Sequence, residues 1–409
     1  MMPQIKPILS ALRRHKAGAV LIALQTALTL AIVCNALFII QQRVAHLSAP
    51  SGIDEPNLLV IENTWADKLS KEDADAQLRA DLAVLRQIPG VHDAVVSNAY
   101  PMRGSGWDQF ITLTPDQTTA VGDPAVYLGD EHFIDTLGVK LIAGRNFRPD
   151  EVRPIANRES TMPPVTIVTK ALADKLFPDG SALGKQIYAM SSTPTTIIGI
   201  VDLLQTQSLA NWQMRSAYQS LIWPMRIVGN SYYILRAQPG QLAAVRQAAV
   251  KALYAQNRMR IINDDGVLDY TQVRQAAYDS DYGMAMLMGI ICVVLLAITA
   301  AGIVGLTSFW VGQRRKQIGV RRALGATRHD ILSYFMTENL LITVGGVIFG
   351  VALAIAMNLW LVTHFEMDRL SLIYLLVGVL LLLLLGQGAA LAPAVRASRV
   401  SPIEATRSV

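Results

Sequence analysis

Polar and apolar residues divide this chain into blocks. From Ala17 to Ile40 no side chain carries a charge, and as a helix that run extends about 36 Å, enough to cross a hydrocarbon layer roughly 30 Å thick with some tilt. Three further charge-free runs follow at Tyr282–Gln313, Asn339–Thr363 and Ser371–Ala392, the last with unbroken leucines from Leu380 to Leu385. The pattern predicts four membrane-spanning helices at 17–41, 282–312, 336–363 and 371–393. A cleaved signal peptide would have an apolar region of about 7–15 residues, so the longer first run reads as an uncleaved span.

Residues 42–280 hold no run of that length and read as a mixed α/β domain. Asn57–Ile61 is strand-like, and Asp73–Ile88 places Leu78, Leu82 and Leu85 at helical spacing. Pro89-Gly90 ends that helix before a strand at Val91–Val96. A second such unit comprises Tyr232–Leu235, a helix with Leu242, Val245 and Leu253, and then Met259–Ile262. Two β-α-β units around a central portion predict an open α+β sandwich with a subdomain inserted at roughly 115–220. Asp264 to Tyr282 reads as a polar helix continuing into the second span, with Asp264 and Asp265 complementing its N-terminal dipole.

Charge fixes the expected topology. The net charge is +5, and much of the excess lies at span ends: Lys6, Arg13, Arg14 and Lys16, the loop after the second span, and Arg396, Arg399 and Arg407. Such residues resist translocation. The tails 1–16 and 394–409 and the segment 313–335 are therefore expected in the cytoplasm. The domain 42–280 and the short loop 364–370, with Glu366 and Asp368, are expected outside. This distribution is not a phosphate-tracking stripe, so no nucleic-acid partner is expected. Cys34 and Cys292 both fall inside spans and cannot staple the outer domain.

The segment after the second span is the most informative. Arg314, Arg315, Lys316, Arg321, Arg322 and Arg328 precede the first acid, Asp330. Gly325 suits a left-handed helix stop, and Thr327 with Asp330 three residues on suits an N-cap and capping box. The spacing predicts a short basic helix, a Gly-Ala corner, and a new helix returning to the bilayer. By charge alone, a generic positive-inside loop fits equally well.

Catalytic signatures are missing. GxxxxGK[ST] does not occur; the nearest match, Gly180 to Gln186 with Gly184 and Lys185, is one residue short and reads as a turn before a strand. The histidines at 15, 46, 92, 132, 329 and 364 show no HxxxH pair, and no GxSxG is present. Asp130, Glu131, His132 and Asp135 read as solvated surface. No catalytic, cofactor or metal site is expected, and an ATPase would have to come from another polypeptide. The spans lack central ionisable residues. Gln25, Asn35 and Gln387 read as interhelical hydrogen bonds, while Gly302, Gly305, Gly345, Gly346 and Gly350 allow close helix packing.

The wording RRKQIGVRRALGATRHDI (314–331) resembles the signature segment of FtsX/MacB-type ABC transporter permeases. That pattern is a basic cluster, then Glu-Ile-Gly, then Arg-Ala-Leu-Gly-Ala; Gln317 stands here in place of the acid. IPGVHDAVVSNAYPMRGSGW (88–107), YLGDEHFIDTLGVKLIAGRNF (127–147), PVTIVTKALADKLFPDGSALGKQI (164–187) and TTIIGIVD (195–202) are similar to phrases of the MacB periplasmic core domain. The closing ASRVSPIEATRSV is similar to the family's last phrase.

The resemblance implies a multi-pass protein of the bacterial inner membrane with a periplasmic domain. It implies docking on a cytoplasmic ABC ATPase that binds ATP and Mg, through Arg314, Arg315, Gln317, Arg321, Arg322, Leu324, Gly325 and Arg328. A second permease, as a homodimer or heterodimer, and a periplasmic adaptor with an outer-membrane channel are further implied partners. Its implied mechanism is mechanotransmission: ATP-driven motion is passed to the outer domain for efflux of an antibiotic, peptide or similar substrate. Lipoprotein release of the LolC/LolE type is the alternative within the class. An FtsX-like regulator that switches an extracellular partner without transport is the alternative outside it.

Overall fold

The computed structural model describes residues 16–67, 69–156, 159, 161–189, 192–209, 216–229, 231–365 and 369–400. The basic tail ahead of Lys16, the acids Glu366 and Asp368, and the closing phrase beyond Val400 lie outside the described residues. The chain forms two units: residues 49–279, and the helices on either side of them in sequence.

Helix α1 (Lys16–Leu47) opens the helical unit. The α+β unit begins with β1 (Leu58–Trp65), α2 (Lys71–Arg86) and β2 (Val91–Ser97). Ser70 caps α2 by accepting the Asp73 amide, and Leu78, Leu82 and Leu85 are buried along one face. A run of short elements follows: β3 (Trp107–Asp108), β4 (Ala125–Gly129), α3 (Phe133–Leu137), β5 (Leu141–Gly144), β6 (Arg153–Ala156) and β7 (Val165–Thr169). Then come α4 (Lys170–Leu176), β8 (Gln186–Tyr188), β9 (Pro194–Val201) and β10 (Ser220–Val228). The unit closes with β11 (Ser231–Ala237), α5 (Leu242–Gln256), β12 (Arg260–Ile261) and β13 (Val267–Asp269).

The first sheet has the order β12-β1-β11-β2, with β13 also pairing β1. Both β-α-β units are split. β11 lies antiparallel between β1 and β2, and β1 lies between β11 and β12. Each half therefore completes the other's sheet, which is the split β-α-β arrangement. Helices α2 and α5 cover one face, burying Leu78, Leu82, Leu85, Val245, Ala249 and Leu253 against Leu59, Ile61 and Leu235. Strands β3–β10 form a second, mixed sheet of order β3-β4-β10-β7-β9-β5, inserted between β2 and β11.

Two local expectations need correction. Asp264 and Asp265 do not start a long helix; they sit in a 3₁₀ turn, Asp264–Gly266, before β13, and α6 begins only at Tyr270. Pairing of Val267–Asp269 with Leu59–Ile61 supplies ladder bonds that a helix there would forfeit. Nor is Asp130 solvated. Asp130 is 3% exposed and 3.5 Å from Arg86, while His132 Nδ1 lies 2.8 Å from Asp93 Oδ2. Asp130 thus faces a neighbouring helix instead of water, whereas Asp135 is exposed as expected and Glu131 and His132 are partly exposed. Gly180 and Gly184, at φ +78° and +81°, are turns ahead of β8.

In the helical unit, α6 (Tyr270–Gln313), α7 (Arg315–Ala323), α8 (Arg328–Phe365) and α9 (Leu372–Ser398) complete the chain. Helices α1, α6, α8 and α9 are long and apolar enough to cross a membrane. Pro393 does not end α9, which continues through it to Ser398; within a packed bundle the missing N–H is tolerated. Small residues let α1 approach its neighbours. A Cβ on Gly346 would fall 2.7 Å from the Ala23 carbonyl oxygen, one on Gly350 3.0 Å from Ala27 Cα, and one on Gly302 2.7 Å from Gln25 Oε1. Gly305 and Gly345 face open space, so their expected packing role is not seen. Gln25 Nε2 donates to Ile298 O at 3.1 Å and Asn35 Nδ2 to Ala354 O at 3.2 Å, both between helices. Gln387 Nε2, in contrast, is buried without a hydrogen-bond partner.

Candidate functional site at the basic corner

The corner between α6 and α8 is built by local rules. At the end of α7, Gly325 has φ +100°, and the Ala326 and Gly325 amides donate to the carbonyls of Arg321 (3.0 Å) and Arg322 (3.2 Å). That double bond pattern is a Schellman stop, which a left-handed glycine permits. Two residues later Thr327 Oγ1 accepts the Asp330 amide at 3.2 Å, and the Thr327 amide donates back to Asp330 Oδ2 at 2.9 Å. The reciprocal pair is a capping box, and it starts α8.

Helix α7 has two faces. Arg314, Ile318 and Arg322 recur every four residues and point inward. Arg314 Nη1 donates to Glu338 Oε1 and Oε2 at 3.0 and 2.9 Å. Ile318 packs with Ile331, Phe335, Ala394 and Ala397. Arg322 Nη1 donates to the carbonyls of Ser398 (3.3 Å) and Val400 (2.8 Å), satisfying acceptors left over at the end of α9. The short helix is thus fastened to both the start of α8 and the end of α9.

Gln317, Val320, Arg321 and Leu324 form the opposite face, and all are exposed. Leu324 is 83% exposed and Val320 54%. The Arg321 guanidinium lies 5.0 Å from the centre of the Tyr334 ring, a cation–π contact that steadies an otherwise long side chain. Arg315, Lys316, Gly325 and Arg328 are also exposed. The outward surface therefore combines several positive charges with two bare aliphatic side chains. Of the eight residues singled out from the sequence, six are on this open side, while Arg314 and Arg322 are turned into the protein. Glu338 and Tyr334 escaped notice. Glu338 is the one acid between Asp330 and Glu366, and an ionisable group within an apolar run is a signal of a buried partner.

Elsewhere, no cluster of His, Cys, Asp or Glu able to hold a metal occurs among the described residues. The first turns of α6 are anchored within the α+β unit. Tyr270 Oη donates to Pro101 O at 2.6 Å, Arg274 Nη1 reaches Glu55 Oε1 at 2.7 Å, and Gln205 Nε2 donates to Tyr278 Oη at 2.8 Å.

Residues 289–402, which include the basic corner, match the FtsX-like permease C-terminal model. Residues 26–253 match the MacB-like periplasmic core domain. The macrolide export ATP-binding/permease protein MacB of Neisseria meningitidis serogroup A is 29% identical over 315 residues, 76% of this chain and 46% of that protein. ABC transporter permease YvrN of Bacillus subtilis is 25% identical over 299 residues, 71% of this chain and 71% of that one. The chain spans about half the length of the MacB relatives it matches. Among solved structures, the periplasmic region of MacB from Actinobacillus actinomycetemcomitans overlays at TM-score 0.34 and 14% identity, over 55% of this chain and 94% of that one; a score of that size decides nothing about the fold. The core-domain match alone takes in more than half of the residues, and with the corner matched as well, this chain belongs to the family of MacB/FtsX-type ABC transporter permeases.

Proposed function

We propose that this chain is the permease subunit of a MacB-type ABC exporter that works by mechanotransmission. In this reading α7 and both chain termini are cytoplasmic, because basic loops resist translocation, and the α+β unit is periplasmic. A separate ABC ATPase, which binds the ATP and Mg, receives the outward face of α7 in an acidic-rimmed cleft. Export of antibiotics, peptides or similar molecules is the expected task; the name of the Neisseria relative speaks of macrolide export.

The observation that carries this reading is the division of α7 into two faces. Its inner side is bonded to α8 and α9 through Arg314, Ile318 and Arg322, so a load applied outside is delivered to two long helices. A loose loop would absorb it. At its other end α6 is one unbroken helix whose first turns are tied into the α+β unit by Tyr270, Arg274 and Tyr278. Energy conversion then needs no ionisable pathway through the bilayer.

The test is ATP turnover by the partner ATPase with this chain in lipid nanodiscs. Arg321→Glu combined with Leu324→Asp alters only exposed positions and should abolish stimulation while the protein still folds. Undiminished stimulation would refute the docking assignment.

A further inference from the structure

A recess in the α+β unit has the makings of a small-molecule site. Strand β10 pairs with β4 from Ser220 to Pro224, then takes β6 as its partner from Met225 to Val228. Pro224 lacks an amide donor, so the ladder changes partner there. A cavity of about 320 Å³ opens at this change, at the lower end of the 300–1,000 Å³ typical of small-molecule sites. Ile155, Met162, Pro224 and Met225 give it an apolar lining.

Its polar rim is unevenly paired. Lys71 Nζ donates to Glu159 at 2.9 and 2.7 Å, closing one side. Glu151 is taken by Arg145, at 2.8 and 2.6 Å, and by the Arg148 amide. These contacts hold Glu151 well down, at a pKa of about 2. Arg153, an exposed residue whose backbone pairs with Met225, also lines the recess, yet among the described residues its guanidinium has neither an ion-pair nor a hydrogen-bond partner. A planar guanidinium beside an apolar hollow suits a carboxylate on an apolar body, held by two parallel hydrogen bonds. The two glutamates nearby disfavour a doubly charged phosphate, since like charges raise its cost.

We propose that this recess binds a compact amphipathic monocarboxylate, with its acid group on Arg153 and its apolar body against Met162 and Met225. The site does not depend on the coupling face of α7, and failure of ATPase docking would leave it standing.

The probe is 3-phenylpropionate, with 3-phenylpropanamide as the uncharged control. Full-length protein in nanodiscs would carry ¹³C-methyl methionine, with the Met162 and Met225 signals assigned through Met→Leu variants. The acid should shift both methyls saturably and bind at least tenfold more tightly than the amide. Arg153→Gln should bring the acid down to the amide's affinity, and Arg153→Lys should retain part of the preference. Equal binding of acid and amide, insensitivity to Arg153→Gln, or unmoved methyls would each overturn the proposal.

Discussion

Arg314 donates two hydrogen bonds to Glu338, and the pair closes the basic corner from beneath, joining the residue before α7 to the third turn of α8. Their side chains are 11% and 2% exposed. A charge pair so placed gains from its geometry but pays desolvation, so removing both charges is tolerated far better than removing one. Its value lies in holding α7 in one position.

Glu338→Ala should therefore lower stability by about 3–5 kcal/mol, because it leaves the Arg314 charge buried and alone. Arg314→Met with Glu338→Leu should recover most of that loss. Chemical unfolding of the detergent-solubilised chain checks both. If the single and double variants were equally destabilised, the pair would not be the brace described here.

The two adjacent glycines of α8 should behave oppositely. Gly346 abuts the backbone of α1 at Ala23, whereas Gly345 meets nothing within 4 Å. Gly346→Val should cost on the order of 1–3 kcal/mol through overpacking, with Gly345→Val close to neutral. Thermal melts of the two variants in the same detergent give the comparison. Equal effects would mean that α1 and α8 do not meet at this register.

The His132–Asp93 contact makes the α+β unit pH-sensitive. The hydrogen bond to Asp93 raises the His132 pKa above its usual 6.5, although burial and Arg86 oppose it. Asp93 is pushed up by burial, but the bonds from His132 and the Ala94 amide and the charge of Arg86 outweigh that and hold it low. A raised histidine stabilises the fold fully below the unfolded value and loses that contribution as pH rises through the folded one. A lowered aspartate contributes above its unfolded value and loses it only as pH falls into the strongly acid range. Stability of the unit should thus decline as pH rises above about 6.5, and His132→Gln should flatten the decline. Tryptophan-monitored unfolding across that range is the measurement; an unchanged slope in His132→Gln would exclude this pair as the source.

Much of the architecture was legible because it rests on local patterns. The Schellman stop at Gly325 and the capping box of Thr327 and Asp330 are short-range devices written in adjacent residues. The spans follow from unbroken apolarity, and α2 from the spacing of Leu78, Leu82 and Leu85. What could not be read were choices made by distant partners. Arg314, just before α7, and Arg321, on it, are the same residue type, but of these two only Arg314 turns inward, because Glu338 stands opposite it after the chain has reversed direction. The splitting of both β-α-β units rests on β1 and β11, more than 160 residues apart, pairing with each other. Asp130 looked like surface for the same reason: Arg86, and the Asp93 that holds His132, reach its neighbourhood only through the tertiary fold.

The central claim is that the outward face of α7 meets an ATPase while its inward face does not. Site-specific photocrosslinkers placed in intact cells at Gln317, Arg321 and Leu324, and separately at Ile318, test it most directly. The account predicts that a P-loop ATPase is captured from the three outward positions and that Ile318 yields only links within this chain. Capture from Ile318 as efficiently as from Arg321, or no ATPase from any of the three, would contradict it.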